Sequence, residues 1–258
     1  VSEPTADKLL PVPASGRTFS ESRLVRFGDL SPGGRLRLDA LARYFQDVSS
    51  DDTADAGLAN DTAWVVRRTA VEVHGSPTFR EPVTLTTFCS GIGGRWAERR
   101  VSLVGAGGAS IESASLWVHL DPETGRPTSL GADFHDHYEE AAAGRTVSAR
   151  LQHDANVPVG FLRRRWSLRF TDFDLLGHVN NAATWAMVEE VLASRRDLRP
   201  PFRAELEYRL AIERDDQVEL AVSGEDQAVL SLWVVEAADV ADGPPRVFAT
   251  GRITSLGS

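Results

Sequence analysis

The chain has 258 residues, 42% of them hydrophobic and 25% charged, a composition that fits one large globular domain or two small ones and excludes disorder, collagen-like repeats and coiled coil for the whole. A net charge of −9 has the wrong sign for a general nucleic-acid binder. No apolar run approaches the roughly eighteen residues of a membrane span, the first residues lack a signal-peptide layout, and one cysteine, Cys89, can form neither an internal disulfide nor a cysteine-rich zinc site, so the expectation is a soluble, cytoplasmic protein with no membrane span.

In chain order, residues 1–15 carry three prolines and read as a flexible tail. Leu38, Leu41, Ala42, Phe45 and Val48 recur at three- and four-residue steps, which predicts an amphipathic helix over about 36–50. Segments 63–73, 82–90, 96–104 and 110–119 are rich in valine, threonine and aromatics and read as strands, with hairpin turns at Gly93-Gly94 and Gly107-Gly108. Residues 135–156 are polar and alanine-rich and read as a linker with room for a short helix. Ala182, Trp185, Val188, Val191 and Leu192 predict a second helix, with Arg195 and Arg196 near its C-terminal end as the helix dipole favours. Strand-like segments 202–212, 217–223, 228–236 and 246–255 follow, separated by turns at 224–226 and 242–244.

This order of elements repeats. Arg26-Phe27-Gly28-Asp29 recurs as Arg169-Phe170-Thr171-Asp172, an offset of 143 residues, and at the same offset Gly34 falls on Gly177, Leu36 on Val179 and Gln46-Asp47 on Glu189-Glu190. The chain therefore divides into a tail (1–15), a first copy (16–134), a linker (135–160) and a second copy (161–258), each copy an α+β unit of one helix followed by antiparallel strands.

The turn before the second helix runs Phe170-Thr171-Asp172-Phe173-Asp174-Leu175-Leu176-Gly177-His178-Val179-Asn180-Asn181. Unpaired N–H groups at a helix start carry partial positive charge and can stabilise an oxyanion, and a carboxylate or imidazole beside them can deprotonate water. Hydrolysis of an activated acyl group fits that chemistry. The bland alternative is a set of ordinary caps, with Gly177 supplying an unusual φ angle. The first copy has Ser31 and Arg35 where the second has Asp174 and His178, so a single active site belongs in the second copy.

Asp174-Leu175-Leu176-Gly177-His178-Val179-Asn180-Asn181 resembles the Asp-x-Asn-x-His-Val-Asn-Asn signature of acyl-acyl-carrier-protein thioesterases, the plant-type family and its bacterial relatives. Trp64-Val65-Val66-Arg67-Arg68, Pro77 to Thr86, Arg95 to Arg100, Leu116-Trp117-Val118 and Asp121 to Pro127 resemble the family's first half in order, and Glu207-Tyr208-Arg209 the strand after its second helix. The resemblance implies a tandem hotdog: two long helices, each wrapped by an antiparallel sheet, packed as a pseudo-dimer, with the first copy's site degenerate. It implies Asp174 and His178 as catalytic residues, the amides around Gly177, Val179 and Asn180 as oxyanion and substrate contacts, and no cofactor or metal. The substrate would be an acyl carrier protein or coenzyme A thioester in fatty acid biosynthesis, and the protein a monomeric pseudo-dimer or a homodimer. Leu176 stands at the family's asparagine position. The acidic residue that some members carry falls near Ala211 and a cysteine position near Ile212, with Glu213 a shifted substitute.

Three function classes follow: a thioesterase, a hotdog enoyl hydratase or dehydratase, and a non-catalytic acyl-binding protein. The hydratase reading lacks its Asn-Pro insertion, whereas Leu176 favours the binding protein. His135-Asp136-His137 has no third ligand at useful spacing for catalytic zinc, and Cys89 on a predicted strand reads as a small buried side chain. Arg163-Arg164-Arg165 and Arg99-Arg100 are candidate contacts for an acidic carrier, against a reading as solvated surface charge.

Overall fold

Strands that alternate apolar and polar residues must bury one face, and here they bury it against two helices. The computed structural model describes residues 9–58, 64–195, 197–223, 229–237 and 245–257. The first copy contains β1 (Phe19–Leu24), α1 (Leu38–Asp55), β2 (Trp64–Gly75), β3 (Pro82–Ile92), β4 (Trp96–Gly105) and β5 (Ser110–His119). A further helix, α2 (Ala132–Ala142), precedes β6 (Leu162–Trp166), α3 (Asn181–Ser194), β7 (Phe202–Tyr208), β8 (Val218–Val222), β9 (Leu230–Glu236) and β10 (Val247–Ser255). The expected turns at 224–226 and 242–244, residues 1–8 of the expected tail and Arg196 lie outside the described residues.

The ten strands form one antiparallel sheet in the order β1-β3-β4-β5-β2-β7-β10-β9-β8-β6. Each half contributes five strands, and the halves meet where β2 pairs β7, from Arg68 opposite Glu207 to Val73 opposite Phe202. This is the tandem hotdog, with its two sheets fused edge to edge at the pseudo-dimer interface. The fusion gives β2 and β7 hydrogen-bonding partners on both sides and removes two free edges.

α1 and α3 pack against each other, and one apolar cluster takes in both helices and strands of both halves. α3 buries Ala182, Thr184, Trp185, Met187, Val188, Glu189, Val191 and Leu192, which leaves it almost no polar face. A helix buried on several sides has that composition. No helix among the described residues is long and apolar enough to cross a membrane.

The segment expected as a linker with room for a short helix does carry one, α2, and the helix is packed rather than solvated. Phe134 and Tyr138 lie one turn apart and, with Ala141 and Ala142, are buried among residues that include Cys89, Ala97 and Leu130. The intervening histidines and acids make the segment look polar, although every fourth residue is apolar. Gly16 explains how closely the preceding chain approaches: a Cβ there would lie 2.3 Å from the Ala141 nitrogen.

Candidate active site

The two helix-entry turns share their hydrogen bonds at the offset of 143 residues. In the first, Asp29 N–H donates to the Arg26 carbonyl, Ser31 N–H to Arg35, Gly34 N–H to Ser31 and Arg37 N–H to Asp29. In the second, Asp172 N–H donates to Arg169, Asp174 N–H to His178, Gly177 N–H to Asp174 and Asn180 N–H to Asp172. Gly34 and Gly177 both have φ of +79°, a left-handed conformation that glycine adopts without steric cost. With the backbones alike, the difference between the copies lies in their side chains.

Asp174 and His178 flank the second turn and face the same cavity of about 720 Å³. One oxygen of Asp174, Oδ1, accepts the Leu176 N–H at 2.9 Å. His178 Nε2 lies 3.2 Å from Glu213 Oε1, so the acid that stands near the expected acidic position is brought onto the imidazole. Leu176, in place of an asparagine, lines the cavity with an exposed side chain that can neither polarise water nor hold a carbonyl.

The expected oxyanion donors are corrected. Gly177 N–H is bonded to the Asp174 carbonyl and Val179 N–H to the Ile212 carbonyl at 3.0 Å, so neither is available to a substrate. Asn180 is the N-cap of α3: its Oδ1 accepts the Ala182 N–H at 2.8 Å, and neither it nor Gly177 lines the cavity. Asn181 does line it, and its N–H, at the first position of α3, donates to no group among the described residues. The N–H left open to the cavity therefore lies in the first turn of the helix, where the dipole is strongest. Backbone partners that come from a distant connecting segment, such as Ile212 after β7, leave no local sequence signal.

The cavity is built by both copies. Its far end is formed by α1, α2 and strands of the first copy, through Ser49, Trp64, Cys89, Ala97, Phe134 and Tyr138. Its mouth is formed by the second turn and the 208–212 segment. Tyr208 hydrogen-bonds the Asn181 carbonyl at 3.4 Å, and burial pushes its phenol well above the usual range, so it remains neutral. Beneath the far end, Asp52 is almost fully buried and accepts from Arg17 at 2.8 Å, Arg99 at 2.5 Å and the Tyr138 hydroxyl at 2.8 Å. Of this cluster only Arg99 was singled out in the sequence, as a candidate carrier contact, and the structure engages it with Asp52 instead; Gln46, which also lines the cavity, was not singled out as a site residue, its signal being its alignment with Glu189 in the repeat.

Cys89 is buried, and burial pushes its thiol up to about 11, which keeps it un-ionised. His135 pairs with Glu139 at 3.3 Å and the His137 ring contacts the Asp133 carbonyl at 2.7 Å, so each is engaged along α2. Arg163 and Arg165 on β6 each lie 3.7 Å from Glu219 and share its charge.

Comparison with known proteins agrees with this geometry. Residues 16–138 match the acyl-ACP thioesterase N-terminal domain and residues 159–240 the acyl-ACP thioesterase C-terminal domain. An uncharacterized protein of Mycobacterium tuberculosis is 29% identical over 228 residues, which cover 88% of this chain and 91% of that one. A chloroplastic acyl-acyl-carrier-protein hydrolase of Cuphea viscosissima is 24% identical over 277 positions, covering 95% of this chain and 67% of the relative. Among solved structures, the 12:0-ACP thioesterase of Umbellularia californica superposes with a TM-score of 0.73 at 18% identity, over 94% of this chain and 98% of that one, a likeness of fold.

Proposed function

The chain belongs to the acyl-ACP thioesterase family, and from that premise we propose that it hydrolyses fatty acyl thioesters of acyl carrier protein to free fatty acid, as a cytoplasmic enzyme of fatty acid synthesis, with its chemistry in the second copy. The observation that carries this reading is the one cavity that joins the Asp174 and His178 turn to the first copy, where Trp64, Cys89, Ala97 and Phe134 give it an apolar end. An acyl tail fits the apolar end, because burying each methylene is worth about 0.8 kcal/mol, while the thioester lies at the mouth beside the ionisable groups.

Asp174 is the general base. With Oδ1 held by the Leu176 N–H, its other oxygen takes a proton from water as the water oxygen bonds to the thioester carbon. Negative charge gathers on the carbonyl oxygen near the start of α3, where the helix dipole and the Asn181 N–H favour it. Collapse breaks the C–S bond, and the departing thiolate takes a proton from His178, whose imidazole is steadied by Glu213; the proton held by Asp174 then returns to His178 through solvent, which restores both groups. Water, acyl thioester, acid and thiol balance with no redox partner.

The test is to supply purified protein with acyl-carrier-protein and acyl-coenzyme A thioesters of graded length and follow free thiol. Thiol release, faster from the carrier-protein thioesters, is the expected result. Hydration of an enoyl thioester without thiol release would assign the site to a hydratase instead, and tight acyl binding without turnover would assign it to a binding protein.

A further inference from the structure

At the offset of 143 residues Gln46 on α1 corresponds to Glu189 on α3. Glu189 is buried and reaches across the interface between the copies to the start of α1, where Oε2 accepts the Leu38 N–H at 2.9 Å and Oε1 pairs with Arg35. Leu38 corresponds to Asn181 and Arg35 to His178. A carboxylate from the opposite helix therefore occupies the helix-start position in the first copy, and the protein's own acid closes that site. In the second copy the equivalent groups are open. Gln46, His178 and Asn181 all line the cavity. The Gln46 carboxamide makes no hydrogen bond among the described residues, and the Asn181 N–H is likewise without an acceptor there. The first copy shows where an anion sits against this helix start, and at the equivalent place in the second the repeat puts a neutral carboxamide, Gln46, on the same cavity as the Asn181 N–H.

We propose that Gln46, contributed by the first copy, is a catalytic residue of the second copy's site: its carboxamide N–H and the Asn181 N–H together hold the thioester oxygen. This rests on the thioesterase reading above. As the water oxygen bonds to the carbonyl carbon and Asp174 takes its proton, the two donors meet the charge that builds on the carbonyl oxygen. When the C–S bond breaks and the thiolate is protonated, they release the oxygen of a free acid. A glutamate at this position could only accept, and its charge would close the second site as Glu189 closes the first.

Gln46→Ala and Gln46→Glu are compared with the unaltered protein for thiol release from the best acyl thioester, for melting temperature, and for dodecanoate affinity by calorimetry. Gln46→Ala should lower kcat by about 10- to 100-fold and Gln46→Glu by about 100-fold or more, the range for losing an oxyanion donor, with melting temperatures little changed. Dodecanoate, whose carboxylate stands in for the charged oxygen, should bind Gln46→Glu about tenfold more weakly. Gln46→Glu retaining kcat within about threefold of the unaltered protein would overturn the proposal. Should Gln46→Glu fail to fold, Gln46→Ala decides by the same comparison. An unaltered protein that hydrolyses no thioester would defeat the thioesterase reading alone. The Gln46 assignment as an oxygen-binding donor would then stand on weakened dodecanoate binding and fall on equal binding.

Discussion

The imidazole of His178 is held by Glu213, which reaches it from the segment following β7 at 3.2 Å. A carboxylate on one ring nitrogen fixes the tautomer and orientation of the other. Glu213→Gln keeps the size and loses the charge, so kcat should fall about tenfold or more while the fold is unchanged by circular dichroism; equal turnover would remove Glu213 from the site. Cys89 makes the opposite prediction. Its thiol, pushed up from 9.0 to about 11, has a thiolate fraction about a hundredfold smaller than ordinary near neutral pH, so iodoacetamide should label it slowly in the native protein and rapidly in urea, and equal rates would contradict its burial. At this scale the sequence was legible where the signal was local. Asp174 and His178 stand four apart in one turn, and both face the cavity. The donors Gly177 and Val179 were misassigned because what occupies an amide, here the Asp174 and Ile212 carbonyls, depends on how the turn closes and what packs on it.

Among the elements, α1, α3 and the strands follow from periodicity, because each buries one face or several and the apolar spacing records it. α2 does not stand out, since Phe134 and Tyr138 are separated by His135, Asp136 and His137, and its burial depends on Cys89 and Ala97 from strands far back in the chain. What ties α2 to α1 is Asp52. Its carboxylate, almost fully buried itself, pairs with Arg99 and takes the Tyr138 hydroxyl. Asp52→Ala removes the buried acid that Arg99, Arg17 and the Tyr138 hydroxyl share and should cost about 3–5 kcal/mol. Arg17→Ala removes a partly exposed partner of the same acid and should cost about 1 kcal/mol or less. Urea unfolding of the two variants checks the order, and equal costs would show that the buried pair is not the one that matters.

For the whole molecule, the decisive feature is the pairing of β2 with β7, which turns two five-stranded sheets into one. The sequence carried the repeat but not this pairing, because strands so far apart in the chain record their partnership only through register. Charges on β7 reinforce the junction: Arg203 reaches Glu72 on β2 at 2.7 Å, and Glu205 meets Arg203, Arg252 and His153. Burial alone would push the Glu205 carboxyl up, but the hydrogen bond from His153 and the Arg203 and Arg252 guanidiniums outweigh it and hold the carboxyl well below the usual range. A carboxyl lowered on folding adds stability above its ordinary value near 4.5 and loses it as the pH falls below that value. Glu205→Gln should therefore lower the melting temperature at pH 7 and flatten its decline below about pH 4.5; parallel melting curves for both proteins would place the acid sensitivity elsewhere.

The two copies share a backbone turn and differ in what it presents, so the most direct measurement is thiol release from an acyl-carrier-protein thioester by Asp174→Ala beside Ser31→Ala, its counterpart in the first copy. Turnover should fall about a hundredfold or more in Asp174→Ala and stay at the unaltered rate in Ser31→Ala. Equal rates in both variants, or loss in Ser31→Ala alone, would contradict the assignment of the chemistry to the second copy.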